Sequence, residues 1–582
     1  MTQASSDLQK VAEEKKQHRA RTSHRPYYAT MTQGRSHISS IVGARFIAPA
    51  MACPRPVTWI LCVLVGGVAL ACNLFQLGSQ SMWFDEILSF ERASQSLPVL
   101  WRIVNTTQPN MALYYIFLHF WLQFTALLGL NPTEFVIRLP SAIFAALSSV
   151  MVFLLGRRFL GLAAGLTAAG LYLLNGQQLI YAQETRSYAL QLLLICITWY
   201  ALFAIVSGNT HQKRWWLCFA LATVLAVYVH LFSALILVAQ VVAFGGLLAL
   251  PGTPGPWRTQ ARQQLRMFIV CLVGIFLLLI PGIYTSRSGS KTGWLPIPHP
   301  MDVYLLFLTI SANSRIYLAL LVAFCILGLF VAVLAYQAWG KRLLSRLSLV
   351  DTAEDQYDQR LSHFQQLLPV GFALLCWVIV PIVLSYIISY SSTRLFSARY
   401  LVTIVPAFVL LVGLGIAVVR WRVVQVVLVL GLLLLTIHYV PLYYQRQQAE
   451  DWNTTSFWLE RHYQTNDGLV CYNNTQGCQI SIEYYLTAYP SAAHFTPDSP
   501  GSFSWVNYDL TNHLGNADPA VDPQALAVFA SHHPRIFFIV GRLSGNSQVT
   551  RVQTAQQWLD SHYHFLAQIV TRTVTIRLYA TG

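Results

Sequence analysis

Two adjacent carboxylates, Asp85 and Glu86, lie just after the first long apolar run of the sequence. Acidic side chains at a membrane boundary are costly to keep there, and they usually serve chemistry or ion handling. A carboxylate in this position can act as a general base if it reaches an acceptor hydroxyl group. The same pair could also be a solvated loop pair without a catalytic role, so the rest of the chain has to decide between the two interpretations.

Arginine side chains that could bind phosphate recur further along the chain. Arg186 follows Glu184 by two residues, and Arg394 and Arg399 come just before a late apolar run. Guanidinium groups offer paired donors that match phosphate oxygens. In a transfer from a phosphate-linked donor, such groups would stabilise the charge that builds on the departing phosphate. Taken singly, these residues could instead form an interfacial ion pair or bind lipid headgroups.

Other polar residues are candidates for substrate binding. They are Gln108, Asn110, Tyr114, Tyr115 and His230. Taken alone, His230 is more often a helix-packing histidine than a ligand. Their recurrence on one predicted face of a membrane favours function, because ionisable and polar residues at that depth tend to mark a site.

The composition indicates an integral membrane protein. Hydrophobic residues make up 55% of the 582 residues and charged residues only 10%, and apolar runs of about 20 residues recur. The formal net charge of the whole chain is +15, and its positive excess lies before residue 445, since the later part holds 7 Arg and no Lys against 10 Asp and Glu. The positive charge therefore reports membrane topology and gives little reason to propose nucleic-acid binding.

The basic residues predict which loops face the cytoplasm. Residues 1–55 form a basic tail that we expect to be disordered and cytoplasmic, so the first span, Pro56–Leu77, begins inside and Asp85 emerges outside. The basic loop at Arg157–Arg158 should also be cytoplasmic. That requirement holds only if the apolar run Met111–Leu130 lies along the outer face or dips into it and does not cross the membrane.

This choice predicts about eleven spans, each near the ~20 residues that a helix needs to cross the hydrocarbon. After the first they run roughly over residues 138–157, 161–182, 187–206, 214–230, 231–250, 266–285, 316–338, 367–389, 400–419 and 422–443. An odd number leaves the C-terminal part on the same outer side as Asp85, Glu184, Arg186 and Arg399. The predicted location is the plasma membrane, multi-pass, with a cytoplasmic N-terminus.

The chain divides into three predicted parts: the tail 1–55, a transmembrane domain 56–444 and a small extracytoplasmic α/β domain 445–582. In the last part, β-like runs alternate with helical patterns. The β-like runs are Gly468–Tyr472, Ile536–Val540 and Val574–Tyr579, and the helical patterns are Thr454–Tyr463 and Thr554–His564. Cys471 and Cys478 lie close together in this part, where either a structural disulfide or a pair of free thiols is expected.

Short motifs follow one another in order from about residue 55 to residue 460. They are Trp83-Phe84-Asp85-Glu86, Leu113-Tyr114-Tyr115 with His119 and Trp121, Arg138-Leu139-Pro140-Ser141, Leu155-Gly156-Arg157-Arg158, Tyr181–Tyr188, Tyr228-Val229-His230, Ala398-Arg399-Tyr400-Leu401 and Asp451-Trp452. In this order they resemble the GT-C superfamily of integral membrane glycosyltransferases, in particular the bacterial relatives of protein O-mannosyltransferases and of the aminoarabinose lipid A transferase. The resemblance implies first-loop helices that lie on the membrane surface.

The resemblance also implies inverting transfer of a sugar from a polyprenyl-phosphate-linked donor, outside the cytoplasm, to an acceptor that is a protein, a lipid or a glycan. Asp85 would be the catalytic base. Glu86 and Glu184 would shape the site or orient the acceptor, and Arg186 and Arg399 would hold the donor phosphate. The mannosyltransferase-like branch generally uses no divalent metal, so we predict no metal and no cofactor.

Two departures from the family pattern concern the sugar and the donor geometry. Gln108-Pro109-Asn110 stands where relatives often have His-Pro-Pro, and Ala398 stands where proline is usual.

One alternative function is a transporter or flippase for a lipid-linked glycan, although the internal repeats and broken central helices typical of transporters are not evident. Another is a non-catalytic assembly protein whose outer domain binds envelope partners.

Overall fold

The computed structural model describes residues 56–580 except 107, 209–210, 250–254, 288–291, 293–294, 336, 338–353, 445–449, 473–476, 487–522 and 542–545. Within this part the chain is mostly helical, with one small sheet near its C-terminal end. The basic tail predicted for residues 1–55 lies outside the described residues.

The helices follow the apolar runs of the sequence. In chain order they are α1 (Pro56–Leu74), α2 (Phe84–Ser94), α3 (Leu97–Thr106), α4 (Ala112–Leu127), α5 (Glu134–Phe159), α6 (Leu162–Leu173), α7 (Gly176–Ala182), α8 (Tyr188–Val206), α9 (Gln212–Val229), α10 (Ser233–Ala249), α11 (Gly255–Ser286), α12 (Pro300–Ile310), α13 (Arg315–Leu334), α14 (Glu354–Ile388), α15 (Ala398–Leu401), α16 (Val405–Ala417) and α17 (Arg422–Tyr444). A 3-10 turn, Val402–Ile404, joins α15 to α16.

Seven helices of the described part are long and apolar enough to cross a membrane. They are α1, α5, α8, α11, α13, α14 and α17. In α8, 72% of the apolar window is buried in the protein, against 11% in α17. An apolar helix that is not covered by protein must face lipid, so α8 is an interior helix and α17 a peripheral one. The other apolar helices are shorter, so the predicted number of about eleven spans and the predicted surface position of Met111–Leu130 stay predictions.

Two of the predicted spans are interrupted. Residues 161–182 form the two helices α6 and α7, because the Asn175 side chain accepts a hydrogen bond from the N–H of Gln177 (3.0 Å) and caps a new helix. Residues 400–419 pass through α15 and a 3-10 turn before α16. The predicted spans 214–230 and 231–250 correspond to α9 and α10, which meet at the turn that carries His230. The apolar helix α12 was not predicted.

The C-terminal part combines helices with a four-stranded sheet. Its elements are α18 (Trp452–His462), β1 (Gly468–Tyr472), α19 (Gly477–Leu486), α20 (Pro523–Ala530), β2 (Arg535–Val540), α21 (Asn546–His562), β3 (His564–Val570) and β4 (Thr575–Ala580). The strand order is β1-β2-β4-β3, with β1 parallel to β2 and the other pairs antiparallel. The small α/β region is therefore confirmed, while the domain boundary at residue 445 stays a prediction.

The three predicted strands are all present, and a fourth was not foreseen. Strand β3 begins at His564, two residues after α21 ends at His562. The predicted helical pattern ran up to His564 and so ended at the residue where the strand begins. Central strand β2 is buried over Ile536–Ile539, as expected for a strand covered on both faces. Cys471 in β1 and Cys478 in α19 form a disulfide, which decides between the two expectations for this pair.

Candidate active site

Asp85 lies in the first turn of α2, where the helix dipole favours a negative charge. Its Oδ2 is 3.0 Å from Nη1 of Arg399 and 3.5 Å from Nη2 of Arg186. The Asp85 side chain keeps 26% of its surface exposed. The structure therefore brings together the predicted base and two of the three arginines predicted to bind phosphate.

The two arginines are held in different ways. Arg186 is buried, and its Nη1 donates to the backbone oxygen of Asp85 (3.1 Å) and to Oγ of Ser89 (3.2 Å). Arg399 is more accessible, and its guanidinium group lies over the ring of Trp83 at 4.7 Å from the ring centre, a cation–π contact. Arg186 is thus fixed by hydrogen bonds, whereas Arg399 is supported mainly by stacking and by Asp85.

Glu86 takes part in a buried ion pair. Arg138, in α5, donates through Nε and Nη2 to the two carboxylate oxygens at 2.9 and 2.7 Å. The backbone N–H of Thr185 donates to Oε1 at 2.7 Å. The exposed fractions of Glu86 and Arg138 are 1% and 3%. Both oxygens of Glu86 are occupied, so in this arrangement the carboxylate joins α2, α5 and the turn before α8.

Arg138 also holds the loop that leads into α2. Its Nη1 donates to the backbone oxygens of Leu77 (3.1 Å) and Gln80 (2.8 Å), and Nη2 donates to that of Ser81 (3.1 Å). In the sequence this arginine opens the motif Arg138-Leu139-Pro140-Ser141, for which no role is predicted. The available signal was an ionisable side chain inside an apolar helix, which at that depth requires a partner.

Glu184 lies in the turn between α7 and α8, next to the residues that hold Glu86. Burial, and then the negative charge of Glu86, raise the pKa of Glu184 to about 8, although the neighbouring arginines oppose the shift. Its Oε2 is shielded from solvent and has no hydrogen-bond partner among the described residues. At neutral pH Glu184 is therefore mostly protonated, and it can donate a hydrogen bond.

Several buried polar atoms around the arginines have no hydrogen-bond partner in the described part of the chain. They are Nε1 of Trp83, Oγ1 of Thr185, Nε of Arg186, Oγ of Ser187, the hydroxyl of Tyr188 and Nε2 of His230. Buried polar groups without partners are uncommon in folded proteins, and each needs an explanation such as a ligand. All six can donate a hydrogen bond, a set that complements phosphate oxygens and sugar hydroxyl groups.

His230 connects this set to the arginines. Its Nδ1 accepts a hydrogen bond from the N–H of Phe232 at 3.2 Å, so the ring is neutral and carries its proton on Nε2. The ring packs against Tyr188 at 5.5 Å and against Tyr400 at 5.3 Å between ring centres. Because Tyr400 directly follows Arg399, the turn after α9 faces the arginine pair.

Other candidates hold neighbouring segments in place. Oδ1 of Asn110 accepts a hydrogen bond from the N–H of Leu231 at 3.1 Å, which joins the loop before α4 to the turn that carries His230. The hydroxyl of Tyr115 accepts from Nη1 of Arg92, in α2, at 3.0 Å. Tyr114 is buried beside Tyr115.

Two candidates lie apart from the Asp85 contacts. Nη1 of Arg394 donates to the backbone oxygen of Leu295. Gln108 donates through its backbone N–H to the oxygen of Ile103 at 2.9 Å. Among the described residues, no hydrogen bond or ion pair joins either of them to Asp85. In the same part of the chain, no group of three or more His, Cys, Asp or Glu side chains could hold a metal ion, and the prediction of no metal stays a prediction.

Residues 111–284 match the sequence model of the family described as dolichyl-phosphate-mannose-protein mannosyltransferase. The predicted resemblance is confirmed. The match supports a membrane glycosyltransferase of the GT-C superfamily, and thus an enzyme. It covers the chain from α4 to α11, which includes Glu184, Arg186 and His230 and leaves Asp85 and Arg399 outside. No curated protein sequence matches this chain.

Solved structures of low sequence identity align with most of the chain. ArnT from Cupriavidus metallidurans bound to undecaprenyl phosphate is 12% identical, covers 91% of this chain and 99% of its own, and has a TM-score of 0.45. AglB from Archaeoglobus fulgidus, in complex with an inhibitory peptide and a dolichol-phosphate, is 11% identical over 91% of this chain and 75% of its own, with a TM-score of 0.45. Because these scores lie below 0.5, we draw no further conclusion from them.

Proposed function

We propose that this protein transfers a sugar from a polyprenyl-phosphate-linked donor to an acceptor of the cell envelope, at the outer face of the membrane and with inversion at the anomeric carbon. The observation that carries the proposal is the contact of Arg186 and Arg399 with Asp85, beside buried donors that have no partner in the described part of the chain. The match to a family whose description names dolichyl-phosphate-mannose supports a donor of this class. The acceptor, whether protein, lipid or glycan, is outside the proposal.

In the proposed reaction Asp85 is the general base. It removes the proton of an acceptor hydroxyl group while the oxygen of that group forms a bond to the anomeric carbon. The bond between this carbon and the phosphate oxygen breaks, and its electron pair leaves with the phosphate. Attack and departure take place on opposite faces of the sugar, which inverts the configuration. The partial exposure of Asp85 supports this role, because an acceptor has to reach the carboxylate.

Arg186 and Arg399 would stabilise the departing phosphate. Fixed positive groups aimed at the place where charge develops lower the barrier without reorganisation at the moment of reaction. The hydrogen bonds of Arg186 to the Asp85 backbone and to Ser89 support such preorganisation, and its Nε remains available to a ligand. Both arginines would be shared between Asp85 and the phosphate when the donor is bound.

Glu184 would serve as a neutral hydrogen-bond donor to the sugar or the phosphate. Its raised pKa of about 8 supports this role over that of a second base. A carboxylic acid that stays protonated near the departing phosphate avoids repulsion between two negative charges. Tyr188 and His230 would complete the set of donors through the hydroxyl group and Nε2.

We infer that Asp85 and the C-terminal sheet region lie on the outer side of the plasma membrane. In this topology the chain has about eleven spans. A cytoplasmic tail precedes the transmembrane domain, which extends to residue 444, and an extracytoplasmic domain begins at residue 445. The distribution of basic loops supports this orientation. The disulfide between Cys471 and Cys478 supports it too, since disulfides persist in oxidising compartments. The family match gives the transporter alternative no support.

An assay of purified protein in detergent tests the proposal, with a synthetic polyprenyl-phosphate sugar as donor and release of polyprenyl phosphate as the readout. We expect Asp85→Asn to lower the rate by about 10²–10⁴-fold, the usual contribution of a general base. Its thermal unfolding should stay close to that of the wild type. The matched control is Glu460→Gln, an acidic residue of α18 that should not affect the rate.

Two results would overturn the proposal. One is full activity in Asp85→Asn, which would remove Asp85 from the mechanism. The other is net translocation of a lipid-linked glycan in reconstituted vesicles that contain no acceptor, which would favour a transporter. Mass spectrometry of envelope glycans from cells without the gene would then name the sugar, since the missing hexose, pentose or aminosugar identifies the product.

A further inference from the structure

The helix that carries Asp85 is capped from a distant part of the chain. The N–H of Phe84, the first residue of α2, donates to Oε2 of Glu450 at 3.0 Å across 366 residues of sequence. The first N–H groups of a helix have no partner within the helix, and the N-cap residue Trp83 provides no side-chain cap. Glu450 therefore fulfils for α2 the role that a local Ser, Thr, Asp or Asn usually has.

Two other residues of the C-terminal region hold the same segment. The hydroxyl of Tyr485, in α19, accepts a hydrogen bond from the N–H of Met82 at 2.7 Å and lies 3.1 Å from Oγ of Ser81. The N–H of Asn453, in α18, donates to the same Oγ at 3.2 Å. The residues directly before Asp85 are thus bound to α18 and α19 as well as to Arg138.

Glu450 is itself firmly placed. Its exposed fraction is 4%, and Oε2 also accepts a hydrogen bond from Nε1 of Trp452 at 2.7 Å. Trp452 opens α18 and is fully buried. A buried carboxylate oxygen that accepts two hydrogen bonds has little freedom to move, so Glu450 can couple the position of α18 to the first turn of α2.

We propose that Glu450 is a positioning residue for the transfer reaction. Together with Tyr485, it fixes Asp85 relative to Arg186 and Arg399, and the C-terminal region is thereby a working part of the active site. This inference rests on the proposed function, in which Asp85 is the base. Small displacements matter in such a site, because misplacing a reacting group by about 1 Å can cost on the order of 10²-fold in rate.

Steady-state kinetics of the full-length protein test this role. We expect Glu450→Ala to lower kcat by about 10- to 100-fold, because the carboxylate of Asp85 moves relative to Arg186 and Arg399. Glu450→Gln keeps an acceptor oxygen for the N–H groups of Phe84 and Trp452, so it should retain activity within about threefold of the wild type. Tyr485→Phe removes a single hydroxyl group and should have an intermediate effect.

A matched control and a structural readout complete the design. Glu460→Ala makes the same change on α18, and we expect wild-type kinetics, since no hydrogen bond joins Glu460 to the loop before α2 among the described residues. Hydrogen exchange should be faster at the Phe84 amide in Glu450→Ala and at the Met82 amide in Tyr485→Phe. If Glu450→Ala does not fold, Tyr485→Phe carries the test, because its ring can keep its packing.

The inference is overturned if Glu450→Ala and Tyr485→Phe match Glu460→Ala in kcat. It is also overturned if Glu450→Gln loses as much activity as Glu450→Ala, since charge and not position would then matter. Asp85→Asn is measured in parallel to separate the two proposals. An active Asp85→Asn contradicts the proposed function, whereas an inactive Asp85→Asn with a fully active Glu450→Ala contradicts only the positioning role.

Discussion

Two carboxylate–arginine clusters lie side by side at the start of α2, and they differ in exposure and in hydrogen bonding. In the first, Asp85 contacts Arg186 and Arg399 and keeps a quarter of its side chain exposed. In the second, Glu86 and Arg138 are almost fully buried, and both oxygens of the carboxylate are hydrogen-bonded. Of these two adjacent carboxylates, Asp85 is thus accessible to a ligand, whereas Glu86 is enclosed and holds segments of the protein together.

The difference follows from what burial costs. A buried ion pair repays the loss of hydration only when its geometry is good and its remaining hydrogen bonds are satisfied. The pair of Glu86 and Arg138 meets this condition, so neither group can leave its partner cheaply. The cluster of Asp85 is less enclosed, and buried donors around it lack partners among the described residues. A charged ligand can therefore exchange with the contacts of Asp85 but not with those of Glu86.

The largest expected effect is a difference in stability between a variant of the Glu86 cluster and a variant of the Asp85 cluster. Glu86→Ala should lower the free energy of unfolding by about 3–5 kcal/mol, because it leaves the charge of Arg138 buried without its partner. Asp85→Asn should lower it by less than about 1 kcal/mol, as is usual for a partly exposed ion pair. Thermal unfolding in detergent, followed by tryptophan fluorescence, measures both. Equal destabilisation by the two variants would contradict the difference between the accessible cluster of Asp85 and the enclosed cluster of Glu86.

A somewhat smaller effect concerns the arginines. Arg399→Ala should lower kcat by about 10²–10³-fold, the loss typical of one preorganised group that stabilises developing charge. Arg399→Lys should recover part of this loss, since it restores the charge without the paired donors. The matched control is Arg394→Ala, because Arg394 is bonded to the backbone of Leu295 and not to Asp85. If Arg394→Ala proves as harmful as Arg399→Ala, the phosphate site extends beyond the Asp85 cluster.

The pH dependence of stability tests the boundary between the clusters, where Glu184 lies. Its pKa is raised from 4.5 to about 8, so between these values the folded state holds a proton that the unfolded state has lost. The stabilising contribution of this proton is fully present below pH 4.5, declines as the pH rises and is gone above about pH 8.

Glu184→Gln mimics the protonated acid and should remove this pH dependence. Its apparent Tm should therefore match that of the wild type near pH 5 and exceed it at pH 9. Glu460→Gln serves as the control, with no such gain expected. A constant difference in Tm across the pH range would contradict protonation of Glu184 at neutral pH.

The smallest expected effect tests how far the Asp85 cluster depends on the C-terminal region. Replacing Cys471 and Cys478 by serine opens a short disulfide loop and should lower the stability of that region by about 2 kcal/mol. At 25 °C the region remains folded, and Tyr485 keeps its contact, so kcat should change by less than about threefold. Limited proteolysis measures the first effect and the transfer assay the second. Loss of transfer without increased proteolysis would assign the thiols a direct role.

Parts of the fold could be predicted because they depend on local patterns. Apolar runs of membrane length predict α5, α8 and α17 well, since each must cover the hydrocarbon with internally bonded backbone. The break between α6 and α7 was missed, because a single capping residue, Asn175, interrupts an otherwise apolar stretch. Strand β3 was missed since the preceding helix pattern ran into it without a turn signal.

The sequence by itself determined the class of the protein and the residue types that could do its chemistry, because apolar length, basic loops and ordered motifs are local properties of the chain. It also singled out Asp85, Arg186 and Arg399. The fold brings a guanidinium nitrogen of each arginine within 3.5 Å of Oδ2 of Asp85. Only the tertiary structure decided which of two adjacent carboxylates is enclosed. The partner of Glu86 lies 52 residues away and the cap of α2 lies 366 residues away. Contacts of that range are formed by packing and leave no periodic pattern in the sequence.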